Sequence, residues 1–365
     1  MKALFLILVM LHGLVHSLGF IKAFEISEVK ELATPISKPI GLLWLITTVL
    51  FLTYGVLYYF NKDNAWLVGI TALIFSQTLI VFFWSDAKFG TIPNVIILLA
   101  VICSIGNALF NSTVEKEKQE LLQKSSIESA EILSIDDIEG LPLPVKKWLL
   151  SSGAVGKVKT LNGKITQSAR MKLNREQKEW YNAKATQYTM IDEPSFHWTL
   201  HLSMNELMWF KGRDKFQNGK GEMLIKINSL INVVNESGEK IDEGSIQRYL
   251  GEMVWFPSLA VSPYIRWEQI DDLSAKATMS YKNTKGGGTF YFNEQGDFTK
   301  FIAMRFQGNE PNAERKEWVL TVDGYRVFEG IKVPSRMEAT WQLEEGSWTW
   351  LQLEIEEIIY NITPE

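Results

Sequence analysis

The first third of this chain carries four long apolar runs, and they constrain the fold more than any other feature. Ala3–Ile21, Ile40–Phe60, Ala65–Trp84 and Ile92–Phe110 contain no Asp, Glu, Lys or Arg. Each approaches the roughly 20 residues that cross about 30 Å of hydrocarbon as a helix. Trp44, Tyr58, Tyr59, Trp66 and Trp84 stand towards their ends, where amphipathic rings settle at headgroup level. A cleaved signal peptide is the other reading of the first run. No small-residue cleavage site follows it in "GFIKAFEISEVK", so a retained span is expected.

Charge divides the chain in the same way. Of the 37 basic and 42 acidic residues, nearly all lie beyond residue 111, so a membrane part is joined to a water-facing part. The expected organisation is a four-helix transmembrane domain (1–111), a juxtamembrane linker or helix (112–139) and a soluble domain (140–365). Lysines flank the spans almost evenly on both sides, so the positive-inside rule does not orient them; four spans put both termini on one side. The expected location is a bacterial cytoplasmic (inner) membrane. A net charge of −5 and the absence of any Lys/Arg block argue against a nucleic-acid partner. The single cysteine, Cys103, excludes an intrachain disulfide and any cysteine-based metal site.

From about Lys159 the apolar period becomes two. "FHWTLHLSM" sets Phe196, Trp198, Leu200 and Leu202 on one face, and "RMEATWQLEEG" does the same with Met337, Ala339, Trp341 and Leu343. Similar runs recur, with turns expected at Gln217-Asn218-Gly219, Glu294-Gln295-Gly296 and Val322-Asp323-Gly324. "KGGGTF" reads as a hairpin turn rather than a phosphate cradle. One stretch breaks the alternation: Ile246, Tyr249, Leu250 and Met253 form a stripe on a helix from about Gly244 to Trp255, stopped by Pro257. A second, short helix is expected over Lys146–Leu150. The fold class is thus four α-helical spans plus a mainly antiparallel α+β domain, a large sheet covered by a helix.

The runs "LPLPVKKWL", "GRDKFQNGKGEM", "IQRYLGEMVWFPS", "IRWEQIDDLSA" and "PSRMEATW" resemble a bacterial family of uncharacterised proteins, catalogued as a domain of unknown function, over roughly Gly140 to Tyr360. Its most specific motif is RYL-x-EM-x-WFP. The resemblance implies no established activity. The pattern is similar to the open half-barrel of periplasmic lipoprotein carriers, an analogy of fold. It implies a sheet domain outside the cytoplasm, whereas the lysine-first N-terminus implies inside.

Two of the four histidines, His12 and His16, lie within the first span, four residues apart and so on one helix face. They are candidates for two ligands to a metal or haem iron, or for a proton relay. With no third ligand evident, the expected role is polar glue to Gln77, Asn94 or Asn107 on other spans. His197 and His201 share that spacing on a strand, about 13 Å apart at about 3.3 Å per residue. They are expected on an exposed polar face.

"SDAKFGTIPNVIIL" resembles the first aspartate motif of prepilin peptidases, but the required second Gly-x-Gly-Asp stretch is missing. There is no Gly-x-Ser-x-Gly, Walker loop or His-Glu-x-x-His. The patterns point away from an enzyme: no catalytic residue and no cofactor is assigned. Glu252 beside Trp255 and Phe256 reads either as an acid/base group or as the partner of Arg248 one turn earlier, the latter expected.

The soluble part is rich in tryptophan. Those rings either fill the core or line a cavity for an acyl chain. Trp209, Tyr249, Glu252, Trp255, Phe256 and Trp267 are the candidate ligand-contacting residues. The expected partners are the bilayer and a hydrophobic, lipid-like ligand. The alternatives are a membrane redox or proton-handling protein using His12 and His16, and a scaffold binding a protein through a sheet edge.

Overall fold

The computed structural model describes residues 2–123 and 131–363. The chain forms two compact units that divide between Thr113 and Val114. Part of the expected linker, residues 124–130, lies outside the described residues.

In the first unit, α1 (Lys2–Ala23), α2 (Lys38–Tyr59) and α3 (Ala65–Phe82) are followed by a short turn, α4 (Trp84–Ala87), and by α5 (Thr91–Leu122). Four helices are long and apolar enough to cross a membrane. Their shared core holds Val9, Phe51, Tyr54, Ala72, Ile97 and Val101. Their outward faces remain apolar and uncovered: Leu4, Leu11, Ile74, Phe82 and Leu109 are all exposed. α5 runs past the expected end of its span, and its last turns belong to the second unit.

His12 and His16 face the helix interior. His12 Nε2 lies 2.9 Å from Asn94 Oδ1, and Asn94 Nδ2 donates to Ser76 Oγ at 2.9 Å and Gln77 Oε1 at 3.0 Å. His16 Nδ1 lies 2.9 Å from the carbonyl oxygen of His12. Buried polar groups among apolar helices find one another in this way, because the surrounding apolar side chains offer no partner. Among the described residues no three His, Cys, Asp or Glu side chains converge as a metal site would require.

After the end of α5, the second unit continues with α6 (Leu143–Ser151) and builds one antiparallel sheet. Its first half comprises β1 (Asn162–Met171), β2 (Tyr181–Met190), β3 (Ser195–Ser203), β4 (Trp209–Gln217), β5 (Lys220–Ile227) and β6 (Ile231–Ser237). Then comes α7 (Glu239–Gly251), continued by 3-10 turns at Glu252–Trp255 and Pro257–Val261. The second half comprises β7 (Ile265–Gln269), β8 (Ser274–Tyr281), β9 (Thr284–Phe292), β10 (Phe298–Phe306), β11 (Arg315–Phe328), β12 (Ile331–Leu343) and β13 (Gly346–Tyr360). The strand order is β6-β5-β4-β3-β2-β1-β13-β12-β11-β10-β9-β8-β7, so the two halves meet where β1 pairs with β13.

The sheet curls until its flanks meet around α7. The helix packs on β5, β9 and β10, and Thr284 Oγ1 donates to the Gly219 carbonyl across the closure. Ile246, Tyr249, Leu250 and Met253, the stripe read from sequence, are all buried. Phe301 is wedged beneath the helix end between Gly251 and Gly288, where backbones come too close for a side chain. A Cβ on Gly251 would lie 2.9 Å from the Phe301 ring, and one on Gly288 closer still.

Three expectations are corrected. Val322-Asp323-Gly324 is no turn: it is a register shift inside β11, and the reversal falls at Glu329 and Gly330, both with positive φ. The glycines of "KGGGTF" lie within β9, whose preceding turn holds Lys282 at φ 53°. A side chain at Gly286 would run into Ile246 and Gln247 of the helix, and one at Gly288 into Phe301, so these two glycines make room for packing rather than bend the chain. Finally, His197 is buried, with Nε2 3.2 Å from Glu117 Oε2; Lys215 Nζ approaches the same carboxylate at 2.9 Å. That carboxylate comes from the end of α5, from a segment read as linker.

Replacing Phe301 with alanine is expected to cost about 3–5 kcal/mol, the range for truncating a fully buried aromatic. Met304→Ala, on the exposed side of the same strand, should stay within about 0.5 kcal/mol. Chemical unfolding followed by tryptophan fluorescence checks the pair; equal effects would contradict the packing described.

Candidate functional site

Alternation sends every second residue of each strand to the concave side. On β1 to β4 these are mostly apolar and small: Ile165, Ala169, Ala183, Ala185, Leu200 and Gly212. Four polar residues stand in phase with them, namely Gln167, Gln187 and Asp214, and Arg305 on β10. α7 adds Arg248 and, one turn on, Glu252.

Arg248 gathers this set. Its Nε donates to Glu252 Oε1 at 2.7 Å, its Nη2 to Gln187 Oε1 at 3.0 Å, and its Nη1 to Asp214 Oδ2. Gln187 Nε2 donates to the other Glu252 oxygen at 2.8 Å. The guanidinium also lies over Phe196 and Trp198, 4.7 Å from each ring centre. Burial works against its charge, but Glu252 and Asp214 outweigh that and raise its pKa above the ordinary arginine value. With both oxygens of Glu252 held by donors, this carboxylate anchors α7 to the sheet and is poorly placed to pass protons. The pairing with Arg248 read from sequence is therefore present.

Beside the cluster runs a row of tryptophans. Trp318, Trp341 and Trp348 are cross-strand partners on β11, β12 and β13, and Trp350 follows at a bulge. The indole N–H groups of Trp318, Trp348 and Trp350 are buried and have no hydrogen-bond partner among the described residues. Arg305 lies over Trp318 at 4.8 Å and packs against the helix backbone at Gly244. Burial, reinforced by the nearby Arg248, lowers the Arg305 pKa to about 10.

The six residues singled out from sequence do not share one site. Glu252 belongs to the cluster. Tyr249, Trp255 and Phe256 are packed core: Tyr249 donates to the Met190 carbonyl, Trp255 to that of Pro334, and Phe256 abuts Tyr360. Trp267 is half-buried on β7 against Phe290 and donates to the Ala260 carbonyl. Trp209 points to the opposite face of β4. Asp214, Gln167, Gln187 and Arg305 were missed, yet each carries a readable signal: a polar residue in phase with the apolar positions of its strand.

A groove of about 620 Å³ indents the other face of the central strands, lined by polar residues including Ser168, Arg170, Lys184, His201, Glu338 and Glu354. None of the six lies there.

Removing one member of a buried ion network strands its partners. Arg248→Met leaves Asp214 and Glu252 without their cation and should destabilise the protein by about 3–5 kcal/mol. A loss under about 1 kcal/mol on denaturant unfolding, typical of an exposed pair, would contradict the network's burial.

No curated protein matches the chain. Among solved structures, a LolA superfamily protein from Nitrosomonas europaea is similar at 8% identity and a TM-score of 0.35, covering 60% of this chain and 94% of that one. A family model matches residues 131–353, more than half of the sequence and including the whole Arg248–Glu252 motif. The chain belongs to that family, a family of unknown function (DUF6544).

Proposed function

We propose that this chain is an integral membrane protein whose sheet domain binds a lipid-like amphiphile along the tryptophan row of its concave face. The observation that carries the reading is the position of Trp318, Trp341, Trp348 and Trp350. α7 packs chiefly on β5, β9 and β10, while these rings lie side by side on β11 to β13. Apolar and aromatic walls with a few fixed polar groups are how proteins hold small hydrophobic ligands.

The first unit supports the membrane part. Large apolar residues are exposed along all four long helices, from Leu4 and Leu11 to Ile96 and Leu109. In water such a belt would drive association; in hydrocarbon it is at rest. The polar groups of the same helices turn inward onto each other, as His12 and Asn94 do.

Native mass spectrometry of the full chain, released from mild detergent, tests the ligand reading. Wild-type protein should carry a lipid-sized adduct, and Trp341→Ala/Trp348→Ala should carry less than half as much. A clean apo mass for the wild type, with no uptake of a fluorescent fatty acid, would overturn it.

A further inference from the structure

We infer that the amphiphile is anionic and that Arg305, with the indole N–H groups of Trp318, Trp348 and Trp350, receives its acidic headgroup. This inference rests on the amphiphile reading above and names the class of ligand at the same face.

Arg305 forms no ion pair and no hydrogen bond among the described residues; its contacts are the Trp318 ring at 4.8 Å and the backbone of Gly244. Asp214 and Glu252 attract its charge from nearby, but neither carboxylate comes within ion-pair distance of it. Asp214 Oδ2 and Glu252 Oε1 are both bonded to Arg248, and the second Glu252 oxygen takes Gln187. A half-buried guanidinium normally takes bidentate oxygen partners, because its planar fork matches a carboxylate or phosphate.

The neighbouring groups lack the same thing. Trp318, beneath the guanidinium, has a buried N–H without a protein acceptor, and so do Trp348 and Trp350. Buried donors go unpaired in few native structures, and each such case calls for an explanation. Three indole donors and one guanidinium, on β10, β11 and β13 of one sheet, share a single deficit, oxygen acceptors, and an acidic headgroup supplies them. The unpartnered acceptors nearby, Asp214 Oδ1 and Gln247 Oε1, belong to the α7 side and repel an anion, so it is directed to the tryptophan side. The ring faces then form the wall for the chain that trails from the headgroup.

The shared chemistry is a single anionic headgroup on an apolar tail; a carboxylate and a phosphate monoester are its two sources. Full-length protein in nanodiscs of neutral lipid is titrated with laurate, dodecyl phosphate and dodecanol, with tryptophan fluorescence as the readout and empty nanodiscs as the blank. At least one anion should bind about tenfold or more tighter than dodecanol, equivalent to about 1.4 kcal/mol, and the tighter of the two identifies the source. Arg305→Gln should bring that ratio to within about twofold. Trp318→Phe keeps an aromatic shelf and removes one donor, and should lower the ratio about threefold; it decides the matter should R305Q fail to fold. Equal binding of acid and alcohol by the wild type, or a ratio unchanged in the variants, overturns this inference and leaves the amphiphile reading standing. Binding of none of the three by the wild type overturns both.

Discussion

Apolar surface has to leave water, and this chain removes it in two different ways. In the first unit the helices bury a narrow seam around Phe51, Tyr54 and Val101 and leave their outer faces apolar. In the second, a curled antiparallel sheet wraps its apolar side around one helix, and Tyr249, Trp255, Phe256 and Phe301 are almost wholly buried. The first solution suits helices long and apolar enough to cross a membrane, as proposed above; the second suits a domain in water. Everything proposed for this protein follows from that division.

Closing a sheet around a helix imposes local conditions that the chain meets with particular residues. Glycines stand where backbone meets ring or helix, as at Gly251, Gly286 and Gly288. Aromatic rings fill the interior near α7, and buried polar side chains stand among them. Arg248 holds that junction through Asp214, Gln187 and Glu252. Such a network adds little net stability over a well-packed apolar replacement, whereas losing one member strands the others.

Periodicity made much of this legible beforehand. A period of two found most of the strands, though not β6 or β7, because alternation survives whatever a strand pairs with. The stripe Ile246, Tyr249, Leu250, Met253 found α7, because a helix laid on a sheet has to show one apolar face. What escaped was non-local. Asp323-Gly324 looks like a turn in isolation, and only its pairing with Arg336 on β12 shows it to be a bulge. The glycines of β9 looked like a hairpin because nothing local shows the helix lying over them. His197 looked exposed because its partner, Glu117, is 80 residues away. The candidate site was half visible: Glu252 and its link to Arg248 were read, while Asp214 and Arg305 needed attention to phase rather than to aromatic content.

The proposed division of solvents near Thr113 is open to one direct measurement. Membranes from cells expressing the full chain are washed with alkaline carbonate, which strips peripheral proteins and leaves spanning helices in place. The chain should remain entirely in the pellet. Its release into the supernatant would contradict the account at its foundation.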